Sequence, residues 1–471
     1  MQVVAHDPLE RERVDELVAR GRAAMQKFAG ADQARVDEAV TALAWSIYKP
    51  KHAQELAELA VRHTGMGNVT DKITKNQRKT FGTLRDLMRA RTVGVIEELP
   101  DLGLVKYAKP VGVVAAVVPS TNPSATAVNK AMMAVKGKNA VIVSPSPVAL
   151  TTSARTVELM REGLDKIGAP VDLIQVMPEP ATKSMTGMLM ESCDLAVVTG
   201  SQNNVRTAYR SGTPAIGVGA GNVPVIIDET ADLGAAAEKI CASKTFDNAT
   251  SCSSENSLII LDKVYDDAIQ ALKTVGGYLA NADEKNLIAK THWVDGRINR
   301  RVLAKDAEVI AREIGLSETA GQSRFLMVEE TGAGPGYPFS DEKLSLVLTI
   351  YRVADFAEAV AKVRTILDFK GRGHSCGVHT ANMDRARQLA ETLDVVRVLV
   401  NMAHTFGNGG GFDSGLNFTL SMGCGTWQGN SITENLSYRH FINVTHLATT
   451  IPEDKPSEAA LFGAHWERYG R

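Results

Sequence analysis

Apolar residues recur every three to four positions through the first part of the chain. Val14, Leu17, Val18, Gly21, Met25 and Phe28 form one such set, and Val36, Ala39, Val40, Leu43 and Ile47 form another. That period puts one face of a helix against a core, so residues 8–92 are expected to be helical. The pattern then changes. TVGVIEEL (92–99) and LGLVKYAKP (102–110) alternate on either side of Pro100–Asp101, as the strands of a hairpin do. A two-stranded hairpin is marginal alone. It is expected to pack on another element, another subunit being one candidate.

From Val111 to Asp228 short apolar runs alternate with helical stretches. The strands expected are VGVVAAVVP (111–119), NAVIVSP (139–145), VDLIQVM (171–177), LAVVTG (195–200) and VPVII (223–227). Helices such as Ala125–Val135 and Thr151–Lys166 lie between them. A second pattern of the same kind runs from Ala237 to about Gly429. It holds LSLVLTIYRV (344–353), SCGVHT (375–380) and VRVLVN (396–401) as strands, with 354–367 and 382–394 helical. A further strand-like stretch lies near 440–450. Alternation at this spacing predicts an α/β protein with doubly wound parallel sheets. Ligands of such sheets sit beyond the C-terminal strand ends. Those ends carry PSTNP (119–123), SPSP (144–147) and TGSQNN (199–204).

A chain of 471 residues exceeds one ordinary core, so two or three domains are expected. The 52 basic and 54 acidic residues leave a net charge of −2, which gives no electrostatic reason to expect nucleic acid or a membrane as partner. Val111–Val118, the longest apolar stretch, is too short to span a bilayer and reads as a buried strand. The first residues carry no signal-peptide pattern, and an amphipathic extension for packaging into a shell is not expected. The five cysteines (Cys193, Cys241, Cys252, Cys376 and Cys424) form no C-x-x-C pair, and their number is odd. That argues against a disulfide framework and a zinc or other metal site, and for a reducing cytoplasm.

Cys252 stands apart from the other four. It lies among small polar residues in FDNATSCSSENS (246–257), on a loop that leads into a strand. Loops on a rigid scaffold display reactive groups. From its own surroundings this thiol reads equally as a nucleophile or as an inert buried side chain. No G-x-G-x-x-G follows a strand and no G-x-x-x-x-G-K-[ST] occurs. The glycines of IGVGAGN (216–222) read as tight turns or close backbone approaches.

Five blocks in order carry a resemblance. They are VPSTNPSATAVNKAMMAVKGKNAVIVSPSP (118–147), VTGSQNNVRTAYRSGTPAIGVGAGNVPVIID (198–228), FDNATSCSSENS (246–257), EKLSLVL (342–348) and LSMGCGTWQGNSITENL (420–436). Together they resemble the CoA-acylating branch of the aldehyde dehydrogenase superfamily, over nearly the whole chain. The resemblance implies an aldehyde dehydrogenase-like α/β fold, with two doubly wound parallel-sheet domains plus a small β oligomerisation element. A dinucleotide-binding domain would comprise 1–92 and 111–242, and a catalytic domain 243–430. Residues 93–110 and 431–471 would form the oligomerisation element of a homodimer or homotetramer.

For the chemistry, the resemblance implies that Cys252 attacks the aldehyde as thiolate. The side-chain amide of Asn122 and the backbone N–H of the cysteine would then face the oxyanion. An uncharged, preorganised donor of this kind typically contributes about 3–4 kcal/mol to transition-state stabilisation. Hydrolytic members carry a Glu where this chain has Val218 in Val218-Gly219-Ala220-Gly221. Valine cannot take a proton from water, so transfer of the acyl group to CoA is the implied second step.

The dinucleotide, NADP or NAD, would be held by Pro119, Ser120, Thr121, Ser144, Pro145, Thr199, Gly200, Ser201, Val205 and Glu342. Glu342 matches the carboxylate that holds the nicotinamide ribose. Ser144-Pro145-Ser146-Pro147 lacks the Lys and Glu of the related Lys-Pro-Ser-Glu motif, which permits a 2′-phosphate without requiring one. Leu346 stands where many relatives have Pro, which leaves the local loop geometry open. His374 reads either as a helper in deprotonating the CoA thiol or as a structural hydrogen-bonding histidine. His404 and Arg439 are further candidates for contact with substrate or CoA.

The C-terminal SITENLSYRHFINVTHLA is similar to acylating members acting on small acidic aldehydes, sulfoacetaldehyde first and succinate semialdehyde next. Three rivals stand beside this reading. A hydrolytic enzyme would keep a Glu at 218, an acyl-phosphate reductase would depend on phosphate, and a non-catalytic scaffold would not need Cys252.

Overall fold

A computed structural model describes residues 7–471; residues 1–6, the start of the expected first domain, lie outside the described residues. Four helices open the chain: Pro8–Phe28, Gln33–Tyr48, Pro50–Thr64 and Val69–Met88. Their starts follow local chemistry. Asp7, Asp32 and Asn68 each accept a backbone N–H of the first turn, and Pro50 stands at the first position of its helix. The apolar sets read from the sequence face inward. Val14, Val36, Ala39, Val40, Leu43 and Ile47 are fully buried.

Against these helices lies a five-stranded parallel sheet. Its spatial order is Ile174–Val176, Ala140–Pro145, Val113–Val118, Leu195–Val198, Ala215–Gly217. Val113–Val118 is buried at every position, as its unbroken apolar run requires of a central parallel strand. The chain leaves this strand in one direction along the sheet and later returns to its other side. The crevice between Val113–Val118 and Leu195–Val198 is therefore a topological switch point.

A seven-stranded parallel sheet follows, in the order Gly277–Leu279, Phe325–Glu329, Val347–Val353, Glu255–Leu261, Val223–Ile227, Gly373–His379, Val395–Val400. Successive residues feed opposite faces. Leu258 and Ile260 join one apolar cluster, while Ile259 and Leu261 join the other. Val223–Ile227, placed with the first domain by the expected boundary at 242, pairs inside this second sheet. The change of sheet falls between Gly217 and Val223.

Gly94–Leu99 and Leu104–Pro110 form the expected hairpin. Ile442–Ala448 adds a third antiparallel strand to it. The last helix, Glu458–Tyr469, buries none of its residues and leaves Leu461 and Phe462 exposed. No helix among the described residues is long and apolar enough to cross a membrane.

Candidate active site

The loop 246–254 carries Cys252 to the N-terminal end of the Glu255–Leu261 strand. There the cysteine meets the C-terminal ends of the first sheet's central strands. A cavity of about 510 Å³ opens between them. Its wall includes Pro119–Asn122, Ser146, Thr199–Gln202, Val218–Gly221, Thr250–Ser253 and Glu342. The Val69–Met88 helix adds Lys75, Arg78 and Lys79, and the segment 405–422 adds Phe406, Thr419 and Met422.

The backbone before the cysteine is unusual. Asp247, Asn248 and Ala249 all have left-handed φ values of 51°, 53° and 58°. Each such residue costs roughly 1–2 kcal/mol without compensation, although Asp and Asn tolerate the conformation better than most. The compensation is visible in the hydrogen bonds. The buried Asp247 carboxylate accepts Lys72 Nζ at 3.0 Å, Lys75 Nζ at 2.5 Å and Thr250 Oγ1 at 2.7 Å. Its other oxygen accepts the Asn68 N–H at 3.1 Å, and the Asp247 N–H donates to Asp71 Oδ2 at 2.7 Å. The two lysines and Thr250 hold the carboxyl below the usual carboxylate range against the opposing pull of burial. The Asp247 and Asn248 side chains thus anchor the cysteine loop; Asn248 Nδ2 reaches Asp306 Oδ1 at 2.9 Å.

The same lysine orients Asn122. Lys75 Nζ donates to Asn122 Oδ1 at 2.8 Å. An ammonium only donates, so the amide oxygen must face it and the NH₂ must turn the other way. Asn122 Nδ2 has a long 3.3 Å contact to Thr121 Oγ1 and keeps donor capacity for the cavity. Lys72 supports the adjoining turn through a 3.0 Å bond to the Thr121 carbonyl.

Glycine clears the space beside the nucleophile. A Cβ on Gly221 would fall 2.1 Å from the Cys252 carbonyl oxygen, and one on Gly219 would fall 2.2 Å from Gln428 Oε1. The 216–222 glycines are therefore close-approach positions.

Cys252 is half-buried at the cavity wall. Burial pushes its thiol up to about 12; Glu342 and Cys424 add to the rise, and Ser253 and Arg397 oppose it. A thiol raised in this way favours its protonated form near neutral pH while the cavity holds no ligand. Burial also raises the Glu342 carboxyl to about 7, with Lys370 opposing. Removing the Glu342 charge must lower the thiol's pKa. Glu342→Gln is expected to raise iodoacetamide alkylation of Cys252 several-fold at pH 8.5. The difference should narrow as pH falls through about 7, where the native carboxyl protonates. An unchanged alkylation rate would show that the two groups do not sense each other.

Of the sequence candidates, the structure brings Cys252, Asn122, Pro119, Ser120, Thr121, Thr199, Gly200, Ser201 and Glu342 to one cavity. Ser201 also caps the Gln202–Arg210 helix, accepting the Asn204 N–H at 3.3 Å. Three expected dinucleotide contacts are off the wall. Ser144 is buried against Thr186 Oγ1 at 2.9 Å, and Pro145 closes its strand, so Ser146 faces the cavity instead. Val205 packs beneath Gly217.

The weaker candidates also lie elsewhere. His374 is buried, bonded through Nδ1 to Ser375 Oγ at 2.7 Å, and burial holds it neutral far below its ordinary range. His374 does not line the cavity. His404 braces the cysteine loop from behind, with Nδ1 at 2.9 Å from the Ser253 carbonyl. Arg439 lies over the Tyr438 ring at 6.0 Å, away from the cavity. Sequence reading missed the cationic wall of Lys75, Arg78 and Lys79. The only signal was Lys72, Lys75 and Lys79 at helical spacing, a pattern that usually marks a solvated face.

Comparison with known proteins agrees with this geometry. Residues 3–280 match the model of the aldehyde dehydrogenase family. A sulfoacetaldehyde dehydrogenase (acylating) from Cupriavidus necator is 51% identical over 461 residues, spanning 98% of this chain and 94% of that protein. A succinate-semialdehyde dehydrogenase (acetylating) from Clostridium kluyveri is 37% identical, over 96% of this chain and 99% of that protein. The crystal structure of an acetylating aldehyde dehydrogenase from Geobacillus thermoglucosidasius superposes with a TM-score of 0.91 at 33% identity, covering 95% of this chain and 99% of that one.

Proposed function

The chain belongs to the aldehyde dehydrogenase family, and from that premise we propose that it is a CoA-acylating member acting on a small acidic aldehyde, sulfoacetaldehyde first. The reaction converts aldehyde, CoA and NAD(P)⁺ to acyl-CoA, NAD(P)H and a proton. The observation that carries the reading is the composition of the cavity wall. It joins Cys252 and Asn122, offers Glu342 as its one carboxylate among the described residues, and has Val218 where a general base would stand.

Cys252 Sγ attacks the aldehyde carbon and gives a thiohemiacetal. Asn122 Nδ2, aimed by Lys75, and the Cys252 backbone N–H face the developing oxyanion. NAD(P)⁺, when bound, would supply the hydride acceptor for oxidation at the level of the thiohemiacetal. The site fits a dinucleotide. The Gln202–Arg210 helix opens at the switch-point crevice, where its N-terminus favours a pyrophosphate, and Glu342 offers a carboxylate to a ribose. A positive group brought beside Cys252 lowers a thiol that burial and Glu342 hold high. Ionisation of the nucleophile is thus tied to filling the cavity. CoA then takes the acyl group by thioester exchange.

The test follows NAD(P)H formation from sulfoacetaldehyde and succinate semialdehyde, with and without CoA. Strict CoA dependence is expected, with sulfoacetaldehyde preferred. Equal rates without CoA would overturn the acylating reading and assign water activation to Glu342. Dependence on phosphate would identify acyl-phosphate chemistry instead. The three-stranded sheet and last helix expose Val444, Leu447, Leu461 and Phe462, which supports a homo-oligomer built through these elements. Five free cysteines support a cytoplasmic setting.

A further inference from the structure

The cavity carries more positive charge than its own carboxylates neutralise. Lys75 is paired with Asp247, and Lys370 with Asp341 at 2.6 Å. Among the described residues Arg78 and Lys79 form no ion pair; Asp413 acts on Arg78 through its charge without a salt bridge. Lys79 Nζ donates to the Gly409 and Thr419 carbonyls at 2.7 and 3.3 Å. Arg78 makes one long 3.5 Å bond to the Phe406 carbonyl, and its Nη1 is buried with no hydrogen-bond partner. A buried guanidinium nitrogen without a partner is costly unless a ligand completes it.

The surroundings fix this group rather than release it to solvent. The guanidinium lies 5.3, 5.6 and 5.2 Å from the ring centres of Phe406, Phe412 and Phe418. An aromatic cage of this kind positions a cation without neutralising it. Lys79 is close enough to Cys252 for the two charges to interact. Both cations are held by the segment 406–419. They are not at the strand ends 119–122 and 199–201, which suit a dinucleotide pyrophosphate.

The geometry points to Arg78 and Lys79 as an anion clamp that holds the substrate's sulfonate or carboxylate while Cys252 takes its carbonyl. This rests on the acylating reading and names the residues that select an acidic aldehyde over a neutral one. A planar guanidinium donor and an adjacent ammonium suit a terminal three-oxygen or two-oxygen anion. Burial brings Lys79 down to about 7, and an anion beside it would restore its charge.

Two measurements test the clamp. The first compares kcat/KM for sulfoacetaldehyde and propanal in the wild type and in Arg78→Met/Lys79→Met, methionine preserving apolar contact with the rings. The acidic-to-neutral ratio is expected to fall about 10- to 100-fold, as for lost hydrogen bonds to a charged group. An unchanged ratio, including one accompanied by a higher KM for CoA or dinucleotide, overturns the assignment and moves the anion to those ligands.

The second needs no aldehyde. Cys252 in the full-length wild type is alkylated by iodoacetate and by iodoacetamide, and the rate ratio is compared with that of glutathione. Because both reagents use the same thiolate, the ratio cancels its ionisation and reports the local field. Anionic iodoacetate is expected to be favoured about tenfold over the glutathione reference, with the advantage lost in the double variant. A wild-type ratio equal to that of glutathione overturns the clamp. If sulfoacetaldehyde proves not to be a substrate while this ratio holds, the assigned aldehyde is wrong and the clamp stands.

Discussion

Cys252→Ala is expected to lose about 10⁴- to 10⁶-fold in CoA-dependent NAD(P)H formation, the scale seen when a covalent nucleophile is removed. The fold should survive. Cys252 is half-buried, and its neighbours are positioned by Asp247, Asn248 and Ser253 rather than by the sulfur. The thermal midpoint should therefore stay close to that of the wild type. The chemical signature is equally direct. Wild-type protein incubated with aldehyde and dinucleotide but no CoA should gain the mass of one acyl group on the 246–257 peptide, and the variant should gain none. Retained turnover would remove Cys252 from the mechanism. It would point to Cys424, which is buried and has its thiol pushed up to about 11. A non-catalytic scaffold would instead show no turnover in the wild type and no measurable change in Cys252→Ala.

Local periodicity made most of the central strands legible. The runs at 111–119, 139–145, 195–200 and 344–353 contain the strands observed, and 396–401 overlaps Val395–Val400 at all but its first residue. In the first domain these runs are nearly continuous apolar stretches, which is what burial on both faces of a parallel sheet demands, whereas Val395–Val400, at the edge of its sheet, alternates buried and half-buried positions. The strands missed include the interior Phe325–Glu329, a five-residue run with no turn signal of its own, and several short ones. Ala215–Gly217 and Gly277–Leu279 have three residues each and contain glycine, too little for a period to show. The sheet boundary was misplaced for a related reason. Val223–Ile227 looks like any other buried strand, and only its partners, Glu255–Leu261 and Gly373–His379, say which sheet it joins.

The site divides along the same line. Cys252, Asn122 and Glu342 were found through blocks of resemblance, and each reaches the cavity. Ser144 and Pro145 were not separable from Ser146 by sequence, because the last strand residue is not fixed by the pattern and only Ser146, past the strand end, reaches the cavity. The histidines failed for want of depth information. His374 sits inside a strand buried at all seven positions, which nothing in RGHSCGVHT reveals. The cations of the Val69–Met88 helix were hidden by the opposite prejudice, since lysines at helical spacing normally mark solvent.

The largest effect on the folded protein should come from Asp247→Ala. Asp247 is the counter-ion of both Lys72 and Lys75, and all three side chains are nearly or fully buried. Removing one partner of a buried ion pair typically costs about 3–5 kcal/mol, because the remaining charge is left unpaired in a dry site. Here two ammonium groups lose their partner, and the left-handed turn at 247–249 loses the carboxylate that ties it to the helix start. Asp247→Asn separates the two contributions in part, since its one amide oxygen keeps an acceptor for Thr250 or for Asn68, but not both, while the charge is removed. Its loss in the denaturant midpoint should be smaller than that of alanine.

The pH dependence has a fixed sign. A carboxyl held below its unfolded value of about 4 stabilises the fold above that pH, and the contribution disappears as pH falls through the lower folded value. Alanine at 247 should therefore flatten the acid limb of the stability curve, while acid and neutral behaviour converge. Activity should fall with stability for a separate reason. Without Asp247, Lys75 no longer has a fixed position from which to turn the Asn122 amide, so kcat should drop about 10- to 100-fold even where the variant is fully folded. The KM for the dinucleotide should change less than kcat, because of its strand-end contacts only the Thr121 turn is tied to this triad, through Lys72. A variant with the native midpoint and native kcat would show that the loop's conformation is set by the packing around it, and that the ion triad beneath the nucleophile is incidental to both stability and catalysis.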